Sequence, residues 1–235
     1  GETVSIIAPN TPAMFEAHFG VPMAGTVLNA INIRLDAEGV AFILEHAECK
    51  LLLVDQEFSV LANQAVAKLS VAPQIITIED SLFTKISDLK AMTYEEFIAA
   101  GDPDFRWQPP EDEWETISIN YTSGTTGKPK GVVYHHRGAA LNAINNTLSW
   151  DMSRHPVYLW TLPMFHCNGW CFPWTIAALV GVNICLRKVE ADKIFELIGS
   201  ENVGYFCAAP IVLNTMINCP SDAKIPFQHS VKVMT

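Results

Sequence analysis

The run Thr116-Ile117-Ser118-Ile119-Asn120-Tyr121-Thr122-Ser123-Gly124-Thr125-Thr126-Gly127-Lys128-Pro129-Lys130-Gly131-Val132-Val133-Tyr134-His135 reads as strand, loop, strand. Residues 116–121 and 131–135 carry the β-branched and aromatic side chains of strands. Between them, residues 121–131 place three glycines, four Ser/Thr hydroxyls and two lysines in eleven positions. Glycine reaches positive φ without steric cost, so successive N–H groups can face one concavity, while hydroxyls add donors and lysines add charge. A loop of that composition is suited to hold an anion, and polyphosphate is the natural guest. A Walker-type loop does not fit. It needs four residues between its first glycine and Gly-Lys-[Ser/Thr], with a helix starting there. Here Gly124 and Gly127 are separated by two residues, Pro129 stands where the metal-binding hydroxyl would be, and a strand follows.

Outward from this segment, short apolar runs alternate with stretches of helical period, the pattern of parallel sheets with helices on their faces. Residues 4–8 read as a strand, and residues 13–28 as a helix with Asn10 or Thr11 as cap and Pro12 in the first turn. A second helix follows the natural N-cap Asp36 and spaces Val40, Ile43, Leu44 and Ala47 by offsets of three, four and seven. Residues 51–54 form a strand apolar on both faces, and residues 59–69 and 74–78 a further helix and strand. Residues 79–115 turn acidic and proline-containing, and a linker or boundary is placed there. Two α/β subdomains result, 1–109 and 110–235. In the second, strands are expected at 157–161, 181–186, 203–208 and 231–235, and helices at 137–150, 169–179, 192–200 and 210–218.

Composition narrows the function classes. Twenty-five acids against fifteen Lys and Arg give a formal charge of −10, spread along the chain, which argues against DNA or RNA as a partner. Residues 175–186 are the longest strongly apolar run, well short of the roughly 20 residues that span a bilayer. The cysteines Cys49, Cys167, Cys171, Cys185, Cys207 and Cys219 lie far apart, mostly in apolar stretches, and read as reduced thiols of an intracellular protein. His166, Cys167 and Cys171 are too few and too irregularly spaced for a metal cluster, so no metal site is assigned. Because the chain runs into a strand after two residues and stops in another, it is expected to be cut from a longer protein.

The segment Ile119 to Gly131 resembles the phosphate-loop signature of the adenylate-forming enzymes, the superfamily of acyl-CoA synthetases, firefly luciferase and peptide-synthetase adenylation domains. The resemblance runs on through Pro9-Asn10-Thr11-Pro12 with Glu16-Ala17-His18-Phe19-Gly20, through Leu28-Asn29-Ala30-Ile31-Asn32-Ile33-Arg34-Leu35, and through Leu162-Pro163-Met164-Phe165-His166-Cys167-Asn168-Gly169-Trp170. It covers nearly all 235 residues, with wording most similar to plant acyl-activating enzymes of the medium-chain, benzoate and cinnamate groups.

That resemblance implies an α/β fold of parallel sheets sandwiched by helices, as the incomplete N-terminal domain of such an enzyme. It implies a ligase with ATP, Mg²⁺ and coenzyme A as co-substrates and cofactor: a carboxylate attacks the α-phosphorus of ATP, and the thiol of coenzyme A then attacks the acyl-adenylate. Thr122, Ser123, Gly124, Thr125, Thr126, Gly127 and Lys130 fall on the phosphate-loop positions, with Lys130 facing the leaving phosphates. Lys128, at a variable position, is left an auxiliary electrostatic part.

By the same resemblance His166 lines the substrate carboxylate pocket. Amino-acid-activating relatives usually carry Asp there, so His166 points to an acid without an α-amine; Trp170 walls the acyl chain or belongs to the core. The readings of His166 as a core histidine or as a helix-preceding residue with no role stand beside this one, and His135 and His136 receive no chemistry. The family's adenine, ribose and metal elements and its adenylation lysine do not occur in residues 1–235, so the chain alone is expected to be inactive. The competing reading is a truncated, non-catalytic relative acting as a binding protein. Peroxisome and cytoplasm are both open, as are the oligomeric state and the acid.

Overall fold

The computed structural model describes residues 1–83, 89, 91–122 and 129–235, and divides into two compact units: Gly1–Pro9 with Ala13–Ala139, and Asn10–Pro12 with Ala140–Thr235.

In the first unit, strands β1 (Thr3–Ile7), β2 (Val27–Ala30), β3 (Cys49–Asp55), β4 (Gln74–Ile78), β5 (Met92–Thr93), β6 (Thr116–Thr122) and β7 (Lys130–His135) form one sheet in the order β5-β4-β3-β1-β2-β6-β7. All neighbours are parallel except β6 and β7. Ile6, Ile7, Leu52 and Val54 are fully buried, as strands covered on both faces require. Helices α1 (Pro12–Met23), α2 (Ala37–His46), α3 (Ser59–Val66) and α4 (Tyr94–Ala99) belong to this part of the chain. Asp36 caps α2 as its spacing predicts, its side chain accepting from the Gly39 N–H at 2.9 Å. Val40, Ile43 and Leu44 then pack with Ile7, Ile31, Leu52 and Val54 in one apolar cluster, each large aliphatic side chain contributing roughly 1.5–3 kcal/mol.

Three expectations need correction here. The first helix ends at Met23, not near residue 28, because Gly25 turns the chain at φ +72° and the Thr26 hydroxyl donates to the Val21 carbonyl at 2.7 Å. Residues 27–30 then pair with β1 as β2. Asn10 does not cap α1, since its side chain is committed to the backbone near residues 160–164. Finally, the stretch read as a linker contributes β5 and α4, the latter closed by a capping box in which Thr93 Oγ1 accepts from the Glu96 N–H and the Glu96 carboxylate accepts from the Thr93 N–H. β6 joins β2, so the first sheet continues past the 109/110 division.

The second unit has a four-stranded parallel sheet in the order β11-β10-β8-β9: β8 (Val157–Trp160), β9 (Val182–Cys185), β10 (Tyr205–Cys207) and β11 (Lys232–Met234). The chain enters it along α5 (His136–Ser149). After β8 come a short left-handed turn, α6 (Cys167–Trp170), and helices α7 (Phe172–Ala178), α8 (Ala191–Ser200) and α9 (Pro210–Asn218). Leu159, Ile194, Ile198, Val203 and Phe206 form its apolar cluster. No helix among the described residues is long and apolar enough to cross a membrane. All six cysteines are free thiols, Cys171 and Cys207 buried and the rest half-buried; burial pushes the Cys207 thiol up to about 12.

Candidate active site

In the first unit, β6 and β7 run antiparallel with Thr122 opposite Lys130 and Tyr121 opposite Gly131. β6 and β7, which flank residues 123–128, therefore form a two-stranded stem. Both Thr122 and Lys130 are exposed there. Ser123, Gly124, Thr125, Thr126, Gly127 and Lys128 lie outside the described residues. Below them the stem is tightly fitted. A Cβ added at Gly131 would stand 2.6 Å from Ile119 Cδ1 and 3.4 Å from Tyr121 Cζ, so the Ile119 side chain packs where any larger residue would force it to shift.

The Tyr121 hydroxyl in turn lies 2.7 Å from Nδ1 of His46, on the last turn of α2, and the two rings meet edge to face. His46 also stacks on Phe42, at 5.5 Å between ring centroids. Burial raises the Tyr121 phenol above its ordinary range, which keeps it neutral and able to donate. His46 is absent from the sequence-based site; its position at the end of an amphipathic helix carries no signal that it would meet a tyrosine 75 residues on.

The Gly138 N–H donates to His135 Nδ1 at 2.9 Å and the His135 ring packs on Trp114, so His135 braces the start of α5.

In the second unit, His166 stands beyond the carboxyl end of β8, where open parallel sheets present side chains to ligands. Its ring is exposed, which removes the core-histidine reading; its Nε2 comes 3.8 Å from Cys167 Sγ. Asn10 holds the segment leading to it. One buried amide donates to the carbonyls of Trp160 at 2.8 Å and Leu162 at 3.0 Å, and accepts from the Met164 N–H at 2.8 Å. The buried Thr161 hydroxyl donates to the Cys207 carbonyl.

The residues after His166 depart from the expected helix start at 169. Cys167, Asn168, Gly169, Trp170 and Cys171 have φ of 49°, 50°, 54°, 56° and 64°, a continuous left-handed run, and right-handed α7 begins only at Phe172. For ordinary L-residues this conformation costs roughly 1–2 kcal/mol each and is normally visited singly, so the surroundings must enforce it. Two features do. Gly169 seats against the indole of fully buried Trp160, where an added Cβ would come within 2.6 Å of Cζ3. From α5, Asn146 Nδ2 donates to the Trp170 carbonyl at 2.9 Å and Asn142 Nδ2 reaches the same oxygen at 3.4 Å. Trp170 is half-buried.

The model of the AMP-binding enzyme family matches residues 1–235, the whole chain. The chain belongs to the AMP-binding enzyme family. Among its relatives, a peroxisomal acetate/butyrate–CoA ligase of Arabidopsis thaliana is 52% identical and an acetate–CoA ligase of Humulus lupulus 50%, each over 100% of the chain. A peroxisomal trans-cinnamate:CoA ligase of Petunia hybrida is 43% identical over 99% of it. The chain spans 44% of the length of each of these three proteins. Among solved structures, the N-terminal domain of FACL13 from Mycobacterium tuberculosis superposes with a TM-score of 0.79 at 26% identity, covering 95% of the chain and 53% of that domain. A fatty acyl CoA synthetase of the same organism gives 0.80 at 24% identity, over 96% of the chain and 42% of that protein. The AMP-binding fold expected from the phosphate-loop resemblance, helices around parallel sheets, is the fold observed.

Proposed function

We propose that this chain supplies the phosphate loop and the carboxylate-side wall of an ATP-dependent carboxylate–CoA ligase, which activates an acid as acyl-AMP and passes the acyl group to coenzyme A. The observation that carries the reading is the antiparallel pairing of β6 and β7, whose register sets Thr122 opposite Lys130 on either side of the donor-rich sequence 123–128.

Adenylation places charge on the leaving pyrophosphate. Fixed N–H, hydroxyl and ammonium donors stabilise that charge more than they stabilise bound ATP, which is what lowers the barrier. In this reading Lys130 faces the leaving phosphates; Thr122, Ser123, Thr125 and Thr126 donate from hydroxyls; Gly124 and Gly127 let the backbone approach; and Lys128 adds charge. His166, exposed beyond the end of β8, meets the acid's carboxylate, and Trp170 walls its chain. His166 in place of an acidic residue favours an acid without an α-amine. The acetate, butyrate and cinnamate named for the relatives are acids of that kind, and a short monocarboxylate is the proposed substrate. Peroxisome or cytoplasm is the proposed location, the former matching two of these relatives. No group of three or more His, Cys, Asp or Glu side chains among the described residues is placed to hold a metal ion, so no step here is routed through Mg²⁺.

The test is acid-dependent ATP–pyrophosphate exchange by the ligase containing this chain, across acetic, butyric, benzoic and cinnamic acids. Lys130→Ala removes a charge-assisted contact worth about 2–4 kcal/mol at the transition state, so adenylation falls roughly 30-fold or more, while thioester formation from preformed acyl-adenylate falls much less. Equal losses in both half-reactions assign Lys130 to the fold instead. Absence of exchange with every acid leaves the non-catalytic binding protein as the reading.

A further inference from the structure

Five consecutive left-handed residues directly after His166 are an improbable way to leave a strand, and the side chains that enforce them come from outside the turn. Gly169 explains one position. The C-terminal end of the run is held from α5, where Asn146 Nδ2 lies 2.9 Å from the Trp170 carbonyl and 3.2 Å from Thr175 Oγ1. The Thr175 hydroxyl is itself within reach of the Cys171 carbonyl at 3.1 Å and the Ala143 carbonyl at 3.3 Å. The half-buried amide of Asn146 thus ties α5 to the last left-handed residues and to the first turns of α7.

We infer that Asn146 is a positioning residue for the acid-binding side of the site: by holding the Trp170 carbonyl it keeps residues 167–171 left-handed, and so sets where Trp170 and His166 stand relative to the acyl substrate. The inference rests on the ligase reading above for its kinetic consequence and on geometry alone for its structural one. Hydrogen-bond chemistry makes it specific. A carbonyl oxygen accepts and never donates, so only the amide nitrogen of Asn146 serves; a carboxylate of the same shape would face that oxygen with like polarity. Asn142, at 3.4 Å from the same oxygen, is the weaker support.

Two variants and two readouts test this. In Asn146→Ala and in isosteric Asn146→Asp, amide hydrogen exchange in the 235-residue chain speeds by about fivefold or more at Gly169 and Cys171, whose N–H groups bond to the His166 and Asn168 carbonyls, while β8 and β10 amides keep their protection. In the ligase the same variants raise KM for the acid by about 3- to 30-fold and leave KM for ATP within about twofold. The Asp variant keeps the side-chain volume, so a loss confined to Ala is a packing effect and overturns the assignment. So does unchanged exchange at Gly169 and Cys171, or a parallel rise in both KM values. An unsubstituted ligase without acid-dependent exchange overturns the ligase reading as well, a failure told apart because it needs no substitution to appear.

Discussion

The phenolic oxygen of Tyr121 sits 2.7 Å from Nδ1 of His46, joining the end of α2 to strand β6. The pair is open to solvent at His46 and partly covered at Tyr121, so water can replace the bond when it is broken. Tyr121→Phe keeps the ring over Gly131 and loses the hydroxyl, and is expected to lower stability by about 0.5–1.5 kcal/mol in urea denaturation. A double-mutant cycle with His46→Ala should return a coupling of that order; zero coupling would mean the contact is incidental.

Gly131→Ala probes the other side of the same stem. The new methyl meets the flexible end of Ile119 at 2.6 Å, so Ile119 must change rotamer, and a loss of about 1–2 kcal/mol is expected from the urea midpoint. A variant as stable as the parent would show that the strands have room to part.

His18 gives a pH signature. It is fully buried in α1, and because the Met14 carbonyl 2.8 Å from its Nδ1 can only accept, that nitrogen carries the proton of the neutral ring. Burial lowers its pKa from 6.5 to about 4, the bond to Met14 opposing in part. The unfolded chain therefore takes up a proton before the folded one does. Stability from this group is complete above about pH 6.5 and is lost as pH falls toward 4, by about 3 kcal/mol in all. Denaturation midpoints measured from pH 7.5 to 4.5 should fall less steeply in His18→Gln than in the parent; parallel curves would refute the assignment.

Two glycines with opposite surroundings make a matched pair. At Gly169 an alanine would need φ +54° and would press on Trp160, whose Nε1 donates to Asn183 Oδ1 at 2.9 Å and so cannot swing away; about 2–4 kcal/mol should be lost. At Gly199, within α8, nothing lies within 4 Å of an added Cβ, and Gly199→Ala should gain about 0.5–1 kcal/mol. Melting curves of the two variants are expected to move in opposite directions.

The parts legible in the sequence were those where chemistry is dense or apolar spacing is regular. β6 and β7 stood out on either side of the donor-rich stretch, and β8 to β11 as apolar runs. Asp36 with its offsets marked α2 to within a residue. What escaped were elements fixed by distant partners. β2 is four residues with Asn29 buried in the sheet, its amide donating to Ser5 Oγ at 2.9 Å, and only Gly25 hinted that the helix had stopped. The left-handed turn depends on Trp160 and Asn146, and no local pattern encodes it. The α4 capping box, Thr93 and Glu96, was readable, yet the surrounding acidic and proline-rich composition masked it. His166 was singled out by the family resemblance and by its place after a strand, where the structure has it, whereas the contacts of His46, Asn10 and Asn146 appear only in the folded chain.

Asn10 bonds to Trp160 and Leu162 across 150 and 152 positions of chain, and through it the amino-terminal turn belongs to the same unit as residues 140–235. During synthesis the turn at Asn10 leaves the ribosome long before its partners exist, and it must stay available while residues 13–139 collapse around their own sheet. Closing so long a loop is entropically slow, so the segment that presents His166 should be among the last parts of the chain to acquire protection during refolding. Asn10→Ala would strand three backbone groups, the carbonyls of Trp160 and Leu162 and the N–H of Met164, while changing no residue of the second sheet itself.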